Sequence, residues 1–367
     1  VIMVVVSADR LRKIAVAIFK GAGCSDYEAE RTSKLLVLAN LRGHDSHGVG
    51  LIPGYVDGIK RGTTKLGVKI EVVKETPVTA LINGNNSLGQ IVATRAMEIA
   101  IEKAKKNGVG VVSIYNCNHI GRLADYATMA LEQGMIGFVT ANVGPAGPGR
   151  PRGEQNVVPP YGGAKGVFGT NPLCYAIPAG EEQPIIFDMA TSIWPTGKVR
   201  VANARGEKVP EGILLDAQGR PTTDTKAYYG PPRGVILPLG GIVAHKGYGL
   251  CLVVDLLSGA LSGSGCALKS HTNGVFMMVL HVACFRPVEE FKADVDEVIR
   301  QCRATPPAQG FVGPHGERDV LIPGDPERRA EETNRREGVF VEDTTWELIM
   351  KAAGEVGVDI EKVRRVA

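Results

Sequence analysis

The sequence predicts an α/β protein, because runs with helical periodicity alternate with β-rich runs along most of the chain. With 367 residues the chain is about twice the usual size of one domain, so one large domain or two are both open. Hydrophobic residues make up 44% and charged residues 22% of the sequence, which is typical of a globular protein in water. No internal repeat is found.

The first predicted elements are two helices. An amphipathic pattern covers residues 7–23, with its first serine as a candidate N-cap. Ser25 and Glu28 form a capping-box pattern, and the helix that they open is expected to end near Gly43. The segment LRGHDSHGVG, residues 41–50, therefore lies in a turn just beyond a helix C-terminus.

Strands and helices alternate after this turn. The pattern predicts a strand and a turn from residue 79, helices over 90–106, 288–304 and the end of 117–134, and a last helix from about 345; further strands are expected within 108–115, 135–144, 172–178, 183–190 and 274–285. Residues 144–170 are rich in Gly and Pro and are expected to form an irregular loop.

The most apolar long run covers residues 247–263. It contains Asp255 and four glycines and is short for a membrane span, so we expect a buried core helix. The apolar start of the chain lacks a basic region before it and a small-residue cleavage site after it, which favours a first strand over a signal peptide.

Charge and cysteine content exclude several function classes. The net charge of +3 is small and dispersed, and no basic stripe is interleaved with aromatic residues, so nucleic acid is not an expected partner. The seven cysteines are scattered and form no CxxC pair. We expect reduced, mostly buried thiols in a cytoplasmic protein and neither a zinc ribbon nor a disulfide scaffold.

Histidines supply the first candidate chemistry. The turn at 41–50 places His44, Asp45, Ser46 and His47 together, and His119 follows a β-rich run. Histidine gives and takes a proton near neutral pH, so a loop histidine with polar neighbours is a candidate general acid or base. The alternative is a histidine that only hydrogen-bonds its own turn. His271, His281 and His315 lack such surroundings and are expected to be structural.

A metal site built from His44, His47 and His119 is not favoured. Histidines three residues apart share a face only in a helix, and the flanking Gly43 and Gly48 indicate a turn. No acidic or cysteine pattern completes a ligand set, so no metal is expected.

Three further features point to a ligand. Asp188 ends an apolar strand, where a carboxylate can orient a histidine or bind a ligand hydroxyl, or simply cap the next element. The glycine-rich residues 162–172 could cradle a phosphate or be ordinary turns. Lys246 at the start of the apolar helix opposes the helix dipole, which an anionic ligand or a pair with Asp255 would explain.

The chain contains neither G-x-G-x-x-G nor G-x-x-x-x-G-K-[ST], so a Rossmann fold and a P-loop have no fingerprint here. The residues alone indicate an α/β enzyme with a histidine-centred loop site, suited to a phosphate-bearing cofactor.

Taken together, the motifs resemble the malate/L-lactate dehydrogenase family of NAD(P)-dependent oxidoreductases, which is not of the Rossmann type. In family order, over residues 7–360, they are RGHDSHGVG…PGYV, NGNNSLGQ, NHIG, PYGGAKGVFGTNP, FDMATS, GKV, PTTD, HKGYGL…DLLSGALSG and PGDPE. GHDSHGVGLIPGY and NHIGR are most similar to the hydroxycarboxylate dehydrogenase branch.

The resemblance implies a non-Rossmann α/β fold around a large mixed β-sheet flanked by helices, with cofactor and substrate in a cleft of a homodimer. It implies hydride transfer between NAD or NADP and a small-molecule 2-hydroxy or 2-keto carboxylic acid such as malate, lactate or a bulkier acid. It leaves open which of the two cofactors is used. An imine reductase acting on a cyclic amino acid, a non-catalytic nicotinamide-binding protein and a zinc hydrolase are the alternatives.

Matching residue by residue, His47 resembles the family's proton donor, and Ser46 and Asp188 resemble its relay partners. His119 matches a second histidine with an acid/base role in other members, so the choice between the two histidines stays open. His44 is expected to be structural. The same matching implies cofactor contacts from His119, Asn171, Pro172, Asp188, Met189, Ala190, Lys246, Gly324 and Asp325.

Two departures affect the substrate. Many members carry Arg at the position of Leu51, where it binds the substrate carboxylate, and Arg122 is the candidate replacement. The loss makes small dicarboxylates less secure substrates and favours a bulkier or more apolar acid. Residues 146–156 are longer than the family pattern and are expected to reshape the pocket rim.

The chain is expected to form one family unit with three parts. Residues 1–75 form a mainly helical part with the catalytic turn, residues 76–285 a sheet-rich cofactor-binding core, and residues 286–367 a helical C-terminal part.

Overall fold

The computed structural model describes residues 3–142, 156–269, 272–313 and 316–360. Its strands are β1 (Met3–Val6), β2 (Glu71–Glu75), β3 (Thr79–Asn83), β4 (Val109–Cys117), β5 (Met135–Ala141), β6 (Leu173–Ile177), β7 (Ile185–Met189), β8 (Leu214–Leu215), β9 (Pro221–Thr222), β10 (Val235–Ile236), β11 (Asn273–His281) and β12 (Val339–Glu342). Its α-helices are α1 (Ala8–Gly21), α2 (Asp26–Leu41), α3 (Ile52–Lys60), α4 (Gly89–Asn107), α5 (Ala124–Ala127), α6 (Thr196–Arg205), α7 (Thr225–Tyr229), α8 (Ala244–Asp255), α9 (Val288–Ala304), α10 (Asp325–Glu337) and α11 (Asp343–Glu355).

A seven-stranded mixed sheet lies at the centre, in the order β2–β3–β4–β11–β5–β6–β7. β3 and β4 are parallel and are joined through α4, whereas the other neighbours pair antiparallel. The predicted α/β fold with a large mixed sheet flanked by helices is therefore confirmed.

Local sequence signals explain the predicted helix boundaries. Ser25 caps α2 and exchanges both capping-box hydrogen bonds with Glu28. In α4 the predicted apolar face, which includes Val92 and Ala96, is fully buried against the sheet. α9 covers the predicted residues 288–304.

The last helix begins slightly before the predicted position. α11 starts at Asp343 rather than near residue 345, because the chain leaves β12 directly into the helix.

Buried side chains form two large clusters. The first lies between α4 and the sheet and includes Met97, Ile114 and Met277. The second joins α1, α2 and α3 with α11, and β1 pairs with β12 at its edge. The helical parts from the two ends of the chain thus share one core, and the turn after α2 is anchored in it.

α8 differs from the expected buried core helix. Leu250, Val253 and Leu256 are 42%, 53% and 47% exposed, so the prediction was wrong for this face. The opposite face is buried and carries Asp255, which accepts hydrogen bonds from Asn142 and from the Ala267 N–H. The segment Gly241–Ala260 is long and apolar enough to cross a membrane by length and composition only.

Some predicted features fall outside the described residues. They are His271, His315 and most of the lengthened segment at 146–156. Of the predicted irregular loop at 144–170, only residues 156–170 are described, and they contain a single bridge between Val158 and Phe168.

Candidate active site

The histidine-bearing turn is held by Asn40 in the last turn of α2. After α2 the residues Asp45–His47 form a short 3₁₀ turn, as the glycines predicted. The Asn40 side chain donates from Nδ2 to Asp45 Oδ1 at 2.7 Å and accepts the Val49 N–H at 2.8 Å. Both ends of the turn are therefore fixed to one buried amide.

His47 lies half-buried on this turn with two close partners. Its Nδ1 is 3.0 Å from Ser46 Oγ, and its ring is stacked on that of His119 with centroids 5.7 Å apart. Removal from water lowers the pKa of His47 to about 3, and the nearby charges of His119, His44, Arg122 and Arg200 act in the same direction. His47 is therefore a neutral imidazole at neutral pH.

His119 follows the end of β4 and meets the turn from the other side. Its Nδ1 is 2.7 Å from the hydroxyl of Tyr55, which belongs to α3. The fold thus brings together Ser46, His47 and His119 from segments more than 70 residues apart in sequence.

Arg122 is the most deeply buried cation near these histidines. Its side chain is 4% exposed and pairs with Asp125 at 2.9 Å through Nη2. Within the described part of the chain, Nε and Nη1 have no hydrogen-bond partner. Buried guanidinium N–H groups without partners are costly, so a bound anion that accepts from them is stabilised. Arg122 also lines a cavity of about 310 Å³ together with Asp188 and Gly324.

Asp188 lies at the end of β7, half-buried on the cavity wall. Its Oδ2 accepts the Ala124 N–H at 2.8 Å, so it anchors the start of α5 and not the element that follows it in sequence. Burial raises its pKa, whereas the Ala124 N–H and the charge of Arg122 act in the opposite direction. In the ranges described, no hydrogen bond joins Asp188 to Ser46 or His47.

Asn171 and Pro172 lie directly before β6. The first residue of β6, Leu173, pairs with Met189 at the end of β7, and Ala190 follows Met189. Asn171 is fully buried and donates from Nδ2 to the Cys251 carbonyl at 3.1 Å, while its Oδ1 has no partner among the described residues. The two motifs that carry the expected cofactor contacts are therefore adjacent in space.

The three other expected contacts have different surroundings. Gly324 lines the cavity with Arg122, whereas Asp325 is engaged by Arg303 and Arg328 and by the Ile322 N–H. Lys246 is exposed on the first turn of α8, and no ion pair is found for it in the described chain. The pair of Lys246 with Asp255 that the sequence allowed is not formed.

His44 and Leu51 occupy separate environments. His44 Nε2 is 3.1 Å from Glu327 Oε1, and both residues also line the cavity with Arg122. Leu51 packs against the shared helical core. Over the described ranges, no group of three or more His, Cys, Asp or Glu residues is arranged to hold a metal ion.

Sequence reasoning missed Asn40, Tyr55 and Gln90. Asn40 lies inside a predicted helical run and Tyr55 in the segment that follows the histidine-bearing turn, and nothing at either position marks one polar side chain as a partner of a distant residue. Gln90 belongs to the motif NGNNSLGQ, which the sequence identified without a role.

Comparisons with known proteins show the family to which the chain belongs. A family model described as malate/L-lactate dehydrogenase matches residues 6–350. The chain is 37% identical to malate/(S)-sulfolactate dehydrogenase of Methanothermus fervidus, over 97% of this chain and 99% of that protein, and 30% identical to hydroxycarboxylate dehydrogenase B of Escherichia coli, over 97% and 96%. The solved structure of sulfolactate dehydrogenase from Methanocaldococcus jannaschii superposes with a TM-score of 0.85 at 34% identity, covering 98% of this chain and 99% of that one.

Proposed function

Because the chain belongs to the malate/L-lactate dehydrogenase family, we propose that it interconverts a 2-hydroxy acid and its 2-keto acid with NAD or NADP, and that His47, His119 and Arg122 act on the substrate. The observation that carries the proposal is the stacked pair of histidines beside a buried arginine that has two unpartnered N–H groups. Carboxylate binding and proton transfer are the two tasks that such a reaction asks of the protein.

Proton transfer falls to the histidines. Oxidation of a hydroxyl group needs a base, and His47 is a neutral imidazole, which has one ring nitrogen that can accept a proton. Ser46 hydrogen-bonds Nδ1 of His47 and so fixes the ring orientation. In the reverse direction the proton that the His47 imidazole took up returns to the alkoxide that forms.

Carboxylate binding falls to Arg122. The guanidinium keeps one bond from Nη2 to Asp125, and its unpartnered Nε and Nη1 N–H groups are the donors left for a carboxylate. Asp188 supports this arrangement, because its bond to the Ala124 N–H holds the start of α5, next to Arg122 in sequence.

The residues present also fit a nicotinamide cofactor. When bound, the nicotinamide accepts or delivers the hydride. The unpartnered Oδ1 of Asn171 is an acceptor for an amide group, and exposed Lys246 is a cation for a phosphate. Asn171, Pro172, Met189 and Ala190 are proposed cofactor contacts, as is Gly324. Asp325 is a weaker candidate, because two arginines already engage its carboxylate.

A homodimer and a cytoplasmic location are part of the proposal. The exposed leucines and valine on α8 form an apolar strip of the kind that protein interfaces cover, and Asp255 on the same helix is packed inside the protein. All seven cysteines are free thiols, as expected in a reducing compartment.

A substrate panel tests the function. The purified protein is mixed with NADH or NADPH and 2-keto acids from pyruvate and oxaloacetate to phenylpyruvate, with a cyclic imine included, and the absorbance of the reduced nicotinamide is followed. We expect oxidation of one cofactor with a keto acid and its loss in His47→Ala. Turnover of the imine alone would replace the proposal with an imine reductase, and cofactor binding without turnover would indicate a non-catalytic protein.

A further inference from the structure

Two buried side chains outside the predicted site form a hydrogen-bond chain that ends on His119. We infer that Tyr55 and Gln90 are positioning residues that hold His119 in the tautomer with its hydrogen on Nε2. The inference rests on the proposed function, because it assigns different roles to the two histidines of that site.

The donor groups decide which way the two hydrogen bonds from Gln90 to Tyr55 and from Tyr55 to His119 point. Gln90 Nε2 can only donate, and it lies 2.9 Å from the Tyr55 hydroxyl oxygen. The Tyr55 hydroxyl therefore has its own hydrogen to give, and the closest acceptor is Nδ1 of His119 at 2.7 Å; the His119 carbonyl is at 3.5 Å. Tyr55 and Gln90 are 5% and 1% exposed, so water does not compete for these bonds.

The phenol keeps its hydrogen throughout the usual pH range. Burial raises the pKa of the Tyr55 hydroxyl well above its ordinary value, although the Gln90 hydrogen bond opposes this shift. Tyr55 is therefore a constant donor toward His119.

The motif NGNNSLGQ explains how Gln90 reaches this position. α4 begins at Gly89, and a Cβ there would lie 2.2 Å from the His119 carbonyl oxygen and 2.4 Å from that of Asn118. Asn118 in turn donates from Nδ2 to the carbonyls of Asn86 and Ser87. The start of α4 is thus in direct contact with residues 118 and 119, which places Gln90 within hydrogen-bond distance of Tyr55.

The consequence is a division of labour between the histidines. A neutral imidazole carries one hydrogen, so an Nδ1 that accepts from Tyr55 leaves that hydrogen on Nε2. His119 then carries its hydrogen on Nε2, whereas neutral His47 is the group that takes and returns the proton. This assignment resolves the choice that the sequence left open.

Nitrogen-15 spectra of the full chain test the tautomer without substrate or cofactor. The protein is labelled with [15N]histidine, and the resonances of His119 are assigned with His119→Gln. We expect a protonated Nε2 and an unprotonated, hydrogen-bonded Nδ1 at neutral pH. A hydrogen on Nδ1 would mean that His119 donates to Tyr55 and Tyr55 donates to Gln90 Oε1. This result would overturn the inference.

Two isosteric variants separate positioning from general packing. Tyr55→Phe removes only the donor hydroxyl, and we expect the Nδ1 resonance of His119 to move. Tyr126→Phe is the matched control, because it removes another buried hydroxyl, one that donates to the Ile120 carbonyl. An unchanged His119 spectrum in Tyr55→Phe, or an equal change in the control, contradicts the assignment. Thermal unfolding of each variant confirms that it is folded.

Kinetics link the tautomer to the reaction. With the keto acid and the reduced cofactor that the substrate panel selects, we expect Tyr55→Phe to lower kcat by about tenfold and to change KM by less than about twofold, since orientation and not binding is lost. An unchanged kcat would contradict the role in catalysis. If no keto acid is reduced while the spectrum shows hydrogen on Nε2, the proposed function fails and the tautomer assignment stands.

Discussion

Gly197 lies directly against Ser46, so that a Cβ on residue 197 would come within 2.4 Å of the Ser46 Cβ. Gly197 is in the first turn of α6, and Ser46 carries the hydroxyl that hydrogen-bonds His47. The GKV motif is therefore explained by close approach to the histidine-bearing turn.

Gly197→Ala is expected to displace Ser46 and lower kcat by at least about tenfold, because real Cβ atoms do not approach to 2.4 Å. Gly354→Ala in α11 is the control, since nothing lies within 4 Å of the added Cβ and an alanine stabilises a helix by about 0.5–1 kcal/mol. Steady-state kinetics and thermal unfolding measure both effects. Full activity in Gly197→Ala would show that the position of Ser46 is not critical.

Arg122→Lys is expected to raise KM for a 2-keto acid by about tenfold or more, because lysine keeps the charge beside Asp125 but lacks the planar pair of donors. Arg122→Ala leaves Asp125 buried without its partner, which costs about 3–5 kcal/mol of stability, so the lysine variant is the informative one. The affinity for NADH alone, followed by fluorescence, is the control. Unchanged KM in both variants would remove Arg122 from the substrate site.

Asn40→Leu is expected to lower the free energy of unfolding by about 1–3 kcal/mol and to reduce activity, because the Val49 N–H and Asp45 both lose their partner. Asn40→Asp keeps an acceptor for the Val49 N–H but places a carboxylate against Asp45. The loss of unfolding free energy in this variant should therefore be greater at high pH, where both carboxylates are charged, than at low pH. Denaturant unfolding at two pH values checks the difference. Equal losses at both would contradict the bond to Asp45.

His47 should make the protein less stable in acid. The pKa of this histidine falls from 6.5 to about 3 on folding, so between these values the unfolded chain binds the additional proton and stability falls as the pH is lowered. One such site contributes a slope of at most about 1.4 kcal/mol per pH unit. His47→Gln removes it, and urea unfolding from pH 7 to 4 measures the difference from wild type. Parallel curves for the two proteins would contradict the shift.

Val253→Asp is expected to convert a dimer to a monomer, because a charge in a covered apolar strip remains without a partner. Val298→Asp on α9 is matched to it, since both valines are 53% exposed. Light scattering after size exclusion reads out the mass of each variant. A monomeric wild type, or a dimeric Val253→Asp, would overturn the proposed interface.

The fold followed from the sequence where the cause was local. The capping box at Ser25, the bounds of α9 and the buried face of α4 depend on neighbouring residues, and they were predicted. The exposed face of α8 was not, because an apolar pattern does not say whether the chain itself or a second molecule covers it.

The candidate site could be predicted from the sequence only in part, because its contacts join residues that are far apart in the chain. Family motifs predicted His47 and His119 as site residues, and the departure at Leu51 suggested Arg122, but the partners of these residues are set by the tertiary fold. Tyr55 is 64 positions from His119, and Ala124 is 64 positions from Asp188. No spacing rule connects residues so far apart.

The pairing of β1 with β12 has a consequence for biosynthesis. These strands, from opposite ends of the described chain, close the helical core in which the turn with His47 is anchored. A ribosome releases the N-terminal helices first, and contacts of such long sequence separation form late. The central sheet can assemble during translation, but the turn with His47 gains its full support only when β12 and α11 have emerged. A prematurely terminated chain is therefore expected to contain His47 and His119 without their final arrangement.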